Sequence, residues 1–271
     1  MVRSLWTAAS GMIAQQNNVD TIANNLANVN TTGYKTEVAE FKSLLYQDIQ
    51  TKTTSANGER KPVSAQVGLG VRNSSVTSRF TQGNFYESTN DLGFAISGDG
   101  FFGIKGQDGN TYYTRNGDFH LAKHTKGLAL TTSDGNCVLD SKGNEIILDE
   151  SIVASKLTIS GDGELCYPDE SNNAKSMGIT IGLWQFNNPS GLEKIGDSSY
   201  AQTAASGEPM NESSVNGLKK SELRQGYLEG SNVQVVDEMV NMIVAQRAYE
   251  LNSKAIQATD EMMGQANQLR R

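Results

Sequence analysis

The four prolines of this 271-residue chain lie at Pro62, Pro168, Pro189 and Pro209. Neither the segment before Pro62 nor the segment after Pro209 contains another. Proline lacks a backbone N–H and clashes with the preceding helical turn, so it breaks helix interiors. The chain is therefore predicted to place long helices at its two ends and other structure between them.

Apolar and small residues near the N-terminus recur at steps of four and three. The row is Leu5, Ala9, Met12, Gln16, Val19, Ala23 and Leu26, with Trp6, Ile13 and Ile22 beside it. Such a row is the a/d pattern by which helices pair in coiled coils. Turn-forming residues over Asn30–Gly33 predict that this helix ends between Asn28 and Gly33.

The C-terminal segment from Asn232 to about Gln268 is predicted to be a helix with two apolar rows. One row is Val235, Met242, Tyr249, Ile256 and Met263, and the other is Val244, Ala248, Leu251, Ala255, Ala258, Met262 and Leu269. At about 100° per residue the rows lie on well-separated sides. A helix with two apolar sides needs two partners: the N-terminal helix and, most simply, another copy of the chain. The pattern leaves open which row faces which partner.

The N-terminal helix carries very little charge. From Met1 to Asn30 its only charged side chains are Arg3 and Asp20. A solvent-exposed helix normally has a charged face, whereas an uncharged polar face suits packing inside an assembly. The alternative is a marginal helix that is disordered in the monomer, and both hold if the ends fold on association.

The middle of the chain is predicted to form β structure. Glycine turn pairs are frequent, at Asp99-Gly100, Asp108-Gly109, Asn116-Gly117, Asp134-Gly135 and Asp162-Gly163. They predict type I′ hairpin turns between short apolar strands, and hence an inserted all-β domain. The polar stretches Gln50–Val67 and Ala205–Asn216 are predicted to be a flexible arm and a return linker.

Composition excludes several classes of function. The formal net charge of −7 argues against a nucleic-acid binder, which needs clustered Lys and Arg. The sequence contains no run of 18 apolar residues, so no membrane span is predicted. The N-terminus lacks the pattern of a cleaved secretory signal. Cys137 and Cys166 are too few for a disulfide framework or a four-thiolate zinc site.

The candidate chemical motifs have simpler structural explanations. His120 and His124 share a spacing of four but fall in the predicted β region without a third ligand. Asp134–Asp140 lacks the oxygen ligands of a calcium loop, and the glycine pairs at Gly68 and Gly98 lack the context of a nucleotide fingerprint. The prediction is a protein that is not an enzyme, with no catalytic, cofactor-binding or metal-ligating residues.

Both ends of the chain resemble the bacterial flagellar rod and hook protein family. The N-terminal signature spans Ala23–Lys35 and includes Asn24, Asn25, Leu26, Asn28, Thr31, Gly33 and Tyr34. The C-terminal likeness runs from Gly230 to about Met263, and the middle segments Tyr113–Phe119 and Leu223–Glu229 also look familial. The length and the segment Tyr46–Val71 are most similar to the distal rod branch, with proximal rod and hook subunits as alternatives.

The resemblance implies a mixed α and β fold in which long N- and C-terminal helices form a coiled-coil domain around an inserted all-β domain. The expected divisions are 1–32 with 228–271 as the helical assembly domain, 33–79 as an extended arm, and 80–227 as the β-rich domain with its return linker. The expected assembly interface is formed by Leu5, Met12, Val19, Ile22, Leu26, Val235, Met242, Tyr249, Leu251, Ile256, Met262 and Met263.

The resemblance also implies a structural role outside the cytoplasmic membrane. The expected partners are further copies of the chain, other rod proteins, the hook protein, the flagellar export apparatus and the bushing rings around the rod. The expected location is the flagellar basal body, reached without a cleaved signal peptide.

Overall fold

A computed structural model describes residues 2–50, 65–124, 127–150, 152–169, 173–196, 198–215 and 217–269. The fold is mixed: one long helix stands near each end, and short strands fill the sequence between them. The chain divides into two compact units. The first joins the two helices to residues 37–77, and the second comprises residues 28–36 and 78–233.

The two helices of the first unit are α1, Val2–Ala27, and α2, Val235–Gln268. Near the end of α1, Asn25 Nδ2 donates a hydrogen bond to Glu238 Oε2 at 3.4 Å. Gly11 packs against Asn252 so closely that a Cβ on the glycine would lie only 2.9 Å from Asn252 Nδ2. The two contacts are equally spaced along both helices and occur in reverse order, so α1 and α2 pack antiparallel in a constant register.

A β arm covers a second side of α1. Its strands are β1 (Glu37–Ser43), β2 (Tyr46–Gln50), β3 (Ala65–Gly68) and β4 (Val71–Ser78), with β1 paired to β4 and β2 antiparallel to β3. Val71 N donates to Ser10 Oγ at 3.3 Å, which ties β4 to the helix. Of the predicted stretch Gln50–Val67, residue 50 and residues 65–67 lie in strands, and residues 51–64 lie outside the described residues.

Within one chain the a/d row of α1 is not fully buried: Gln16 and Ala23 are exposed, and its other five residues are half-buried. The buried residues are instead Ala8, Ala14, Thr21, Ile22 and Asn25. The physical reason is that α1 is covered on two sides. Gly11 faces α2, whereas Ser10 faces the arm, and Ala14 and Thr21 share its side of the helix.

The second unit is built from short strands. They are β5 (Phe85–Glu87), β6 (Phe94–Ser97), β7 (Phe101–Lys105), β8 (Thr111–Thr114), β9 (Phe119–His124), β10 (Gly127–Thr132), β11 (Cys137–Val138), β12 (Ile147–Leu148), β13 (Thr158–Ile159), β14 (Glu164–Pro168), β15 (Ala174–Thr180), β16 (Leu183–Gln185), β17 (Glu193–Gly196), β18 (Ser199–Ala201), β19 (Met210–Asn211), β20 (Glu222–Gln225) and β21 (Tyr227–Glu229). A ten-stranded sheet runs along the path β12-β10-β11-β7-β8-β18-β17, with β9, β16 and β19 paired alongside.

Two apolar clusters stabilise this unit. The larger packs aliphatic side chains around Phe94, Phe102 and Phe119, and the smaller is aromatic, with Phe101, Tyr113, Trp184, Phe186 and Tyr200 in edge-to-face contacts. The β-rich middle predicted from its short apolar runs is therefore present.

The expected type I′ turns are wrong. At Gly109, Gly135 and Gly163 the glycine has φ near +80°, but Ser198 is the only described non-glycine residue with positive φ. A type I′ turn needs positive φ at both central residues. Each glycine instead closes a four-residue turn, as where Gly109 N donates to Gly106 O, and Gly106 N then donates to Asn110 O. This is a type I turn followed by a glycine bulge, which needs one left-handed residue instead of two.

Candidate assembly surface

The side of α2 that faces α1 repeats every seven residues. Its buried members are Glu238, Ala245 and Thr259, and the row continues through half-buried Asn252. Four residues after these positions come Met242, Tyr249, Ile256 and Met263, of which Tyr249 is 43% exposed and the other three are half-buried. The question that the sequence left open is answered here: the row containing Met242 faces the helix of its own chain.

The other apolar row of α2 is exposed. Leu251 is 66% exposed, Val244 62% and Met262 52%. Further apolar side chains widen this surface near the start of the helix: Val236, Met239, Val240 and Ile243 are all at least half exposed. Exposed apolar side chains grouped in this way typically mark an interaction site. We call this row the outer row of α2.

The predicted interface residues therefore differ in their surroundings. On α1, Ile22 is buried, and Leu5, Met12, Val19 and Leu26 are half-buried. On α2, Met242, Ile256 and Met263 are half-buried, Val235 and Tyr249 are partly exposed, and Leu251 and Met262 are mostly exposed. The sequence did not single out Trp6 or Ile13 as interface residues, yet they are 71% and 62% exposed.

A groove lies between the two helices of the first unit. It is lined by Gln16 and Val19 of α1 and by Gln246 and Tyr249 of α2, and has a volume of about 290 Å³. Its walls combine an aliphatic side chain, a phenol ring and two amide side chains, and none of the four is charged. We call it the helix groove.

The N-terminal signature residues within the first unit anchor the end of α1 to β1. The Asn25 side chain makes two hydrogen bonds with the backbone of Glu37. Its Nδ2 donates to Glu37 O at 2.8 Å, and its Oδ1 accepts from Glu37 N at 2.8 Å. Asn24 Nδ2 donates to Glu37 Oε2 at 3.0 Å, and Leu26 is half-buried.

The signature residues within the second unit form a tight turn. Thr31 Oγ1 donates to Asn28 Oδ1 at 3.1 Å, and Tyr34 is buried beneath the Lys194 ammonium. Gly33 has φ of +69°, and a Cβ there would lie 2.7 Å from Asn116 N. Only glycine fits this position, because both the backbone conformation and the close approach exclude a side chain.

Sequence reasoning missed a buried ionic cluster in the second unit. Lys35 Nζ lies 2.6 Å from Glu229 Oε1, and Arg115 lies 3.3 Å from Glu229 Oε2, with all three side chains at most 2% exposed. Gly83 N donates to the same carboxylate, and Lys35 Nζ also donates to Thr81 O at 2.8 Å. Burial lowers the pKa of Lys35, and the nearby Glu229 carboxylate partly opposes this. Lys35 and Glu229 each fall inside a signature segment, but no local spacing indicated that they pair.

The candidate chemical residues lie on the surface of the second unit. His120 and His124 are exposed on β9, where a separation of four places them about 13 Å apart along the strand. Within the described ranges, no three His, Cys, Asp or Glu side chains are grouped as metal ligands would be. Burial and the neighbouring Glu145 raise the pKa of the Cys137 thiol, and Cys137 and Cys166 are not disulfide-bonded. No helix in the described part of the chain is apolar and long enough to cross a bilayer.

Comparison with known proteins extends over nearly the whole sequence. The flagella basal body rod protein model matches residues 5–35, the flagellar hook protein FlgE/F/G D1 domain matches 95–167, and the flagellar basal body rod FlgEFG protein C-terminal model matches 224–269. The protein named flagellar basal-body rod protein FlgG from Borreliella burgdorferi is 46% identical, with 100% of both chains covered. The chain belongs to the flagellar basal-body rod protein family.

Other rod proteins support the same assignment. The protein named FlgG from Agrobacterium fabrum is 41% identical over 96% of this chain and 97% of its own, and the one from Bacillus subtilis is 35% identical over the whole of both. The resemblance inferred from the two end signatures is therefore confirmed. The rod and hook protein models that match are those of a structural protein family.

Proposed function

We propose that this rod-family protein is a structural subunit of the flagellar distal rod, and that its paired terminal helices are the assembly surface. The observation that carries the proposal is the exposed outer row of α2, on a chain that relatives named FlgG match over nearly its whole length. An apolar row on the solvent side of a two-helix unit is stabilised when a second copy covers it.

The proposed polymer is a hollow helical shaft. The paired α1 and α2, acting as a coiled coil, line its inner part. Contacts between unlike surfaces of successive copies build an open helix when the rotation between copies does not close a ring. Such a shaft transmits torque from the motor to the hook. The scarcity of charge on α1, which has only Arg3 and Asp20 before residue 30, supports burial of this helix in the assembly.

The proposed partners follow from this position. They are other copies of the chain along the shaft, other rod proteins below it, the hook protein above it, and the bushing rings around it. The location is the basal body outside the cytoplasmic membrane, reached through the flagellar export apparatus.

Experiment can also distinguish two alternative functions from that of a distal rod subunit. The first is a proximal rod or hook subunit, to which the hook protein domain match lends some support. The second is a hydrolase that cuts peptidoglycan where the rod passes through it. Against the second stand the matches of both ends and the middle of the chain to rod and hook protein models. Release of muropeptides by the purified protein would favour the hydrolase.

The β arm of the first unit is proposed to brace neighbouring subunits and stiffen the shaft. Its described portion already projects apolar side chains, with Leu45 83% and Tyr46 63% exposed. Deleting residues 50–67 should leave assembly intact and lower the persistence length of the polymer in electron micrographs. An equally straight and rigid polymer after the deletion would contradict the bracing role.

The test of the main proposal is polymer formation by the purified full-length chain, measured by sedimentation over a concentration series and by electron microscopy. Open-ended growth into tubes is expected, and Leu251→Asp should suppress it because a charge then enters an apolar contact. Glu250→Asp is the matched control on the neighbouring, charged side of the helix. A dimer of fixed size at all concentrations would overturn the proposal.

A further inference from the structure

Two unlike features of the first unit complement one another. The Trp6 side chain is a large apolar group on α1 that is 71% exposed. The helix groove is an uncharged depression of about 290 Å³ between α1 and α2. Sites near roughly 300 Å³ accommodate small ring systems, so the groove is large enough for an indole.

The chemistry of the two surfaces also matches. An indole offers an apolar body and one N–H donor, and a buried tryptophan usually satisfies that donor. The groove presents Val19 and the Tyr249 ring for the apolar body. The amide oxygens of Gln16 and Gln246 are acceptors of the kind that the indole N–H requires. Neither surface places a charge where it would lose water without a partner.

The Trp6 side chain and the helix groove do not meet within one chain. At 3.6 residues per turn, Trp6 points roughly 110° around α1 from the direction of Gln16 and Val19. It also lies about eleven residues earlier, or about 17 Å along the helix. When the projection of one copy enters the depression of the next without a reciprocal contact, the contact is head-to-tail and repeats from copy to copy.

We propose that the Trp6 indole of one copy inserts into the helix groove of the next, formed by Gln16, Val19, Gln246 and Tyr249. This inference rests on the proposed function, since it names the contact by which that polymer grows. It requires neighbouring copies in contact to be displaced by about 17 Å along the helix pair.

The test is cross-linking between copies that carry single introduced cysteines. In a background with Cys137→Ser and Cys166→Ser, chains carrying Trp6→Cys are mixed with chains carrying Gln246→Cys, polymerised and oxidised. A disulfide-linked heterodimer is expected. Lys254→Cys is the matched control, because it is exposed on the same helix and lies neither in the helix groove nor on the outer row of α2. Preferential linkage of Trp6→Cys to Lys254→Cys, to itself or to neither would overturn the inference.

A second measurement needs no cysteine. Acrylamide quenching should report Trp6 in the monomer, because the only other tryptophan, Trp184, is 7% exposed. The accessible fraction of fluorescence should be lost on polymerisation, and Trp6→Ala should raise the critical concentration about tenfold or more. If the wild-type chain polymerises with Trp6 still quenchable, the inference fails alone. If the wild-type chain does not polymerise, the proposed function fails with it.

Discussion

The Nζ atom of Lys35 lies 2.6 Å from Oε1 of Glu229, and both side chains are fully buried. Arg115 contacts the other oxygen of the same carboxylate, so two buried cations share one anion. Removing a charge from this cluster should therefore have very different effects depending on its sign.

Glu229→Gln should destabilise the second unit by about 3–5 kcal/mol, because it leaves two buried cations without a counter-charge. Lys35→Met should cost less, because the Arg115–Glu229 pair that remains is balanced. The measurement is the free energy of unfolding from urea titration of the two variants. A larger loss for Lys35→Met than for Glu229→Gln would show that the charge balance does not govern this cluster.

The ionisation of Lys35 should make its contribution depend on pH. Burial lowers its pKa from 10.5 in the folded state. Between the folded pKa and 10.5 the unfolded chain binds the proton and the folded chain does not, so raising the pH stabilises the folded state. The free energy of unfolding of the wild type relative to Lys35→Met should rise through this window and level off above it. A difference that is flat or falls would contradict the lowered pKa.

Tyr113 should act in the opposite direction at higher pH. Burial raises its pKa to about 12. Between pH 10 and 12 the unfolded chain has lost the phenol proton and the folded chain retains it, so stability falls as the pH rises. Tyr113→Phe should remove this loss, whereas the control Tyr227→Phe, at an exposed position, should leave it in place. The measurement is the stability of each variant between pH 10 and 12, monitored by circular dichroism. An equal fall in stability in both variants would count against the raised pKa of Tyr113.

Asn25→Asp should loosen the packing of the two helices. The new carboxylate would lie beside Glu238 Oε2 and Glu37 O, where the amide now donates, and would exchange two hydrogen bonds for repulsion. A loss of about 2–4 kcal/mol is expected at pH 7, reduced at acidic pH as the carboxylate is protonated. Ala23→Asp, at an exposed position of α1, should cost less than about 1 kcal/mol. Comparable thermal unfolding of the two variants would refute the prediction.

Tyr249→Asp should block polymerisation while leaving the second unit folded. Tyr249 lines the helix groove and is 43% exposed, so a charge there is tolerated in the monomer and disfavoured in a packed contact. Gln257→Asp, an exposed polar position on the same helix, is the control. Normal polymers from Tyr249→Asp in the electron microscope would rule out this role.

The local features of the fold were predictable from the sequence, because proline placement and apolar periodicity act over a few residues. The predicted helix from Asn232 to Gln268 agrees closely with Val235–Gln268. The partner of each apolar row was not predictable, since a row on a helix does not identify what covers it. The pairing of α1 with both α2 and the arm is the reason that Gln16 and Ala23 are exposed.

The ionic cluster illustrates a different limit. Lys35 and Glu229 lie in different signature segments, and their contact depends on the path of the whole β unit between them. The prediction of type I′ turns is wrong for a local reason. An Asp-Gly pair fits both a type I′ turn and a type I turn with a glycine bulge, and only the backbone conformation distinguishes the two.

Lys35 and Glu229 are separated by 194 residues. A chain that is delivered from its N-terminus must therefore release most of its length before this pair can form, and a contact of such long range is slow to close. Lys35 remains hydrated, without its carboxylate, for as long as delivery continues. The buried cluster therefore delays the final stabilisation of the second unit, which cannot be complete until β21, the last strand before α2, has been delivered.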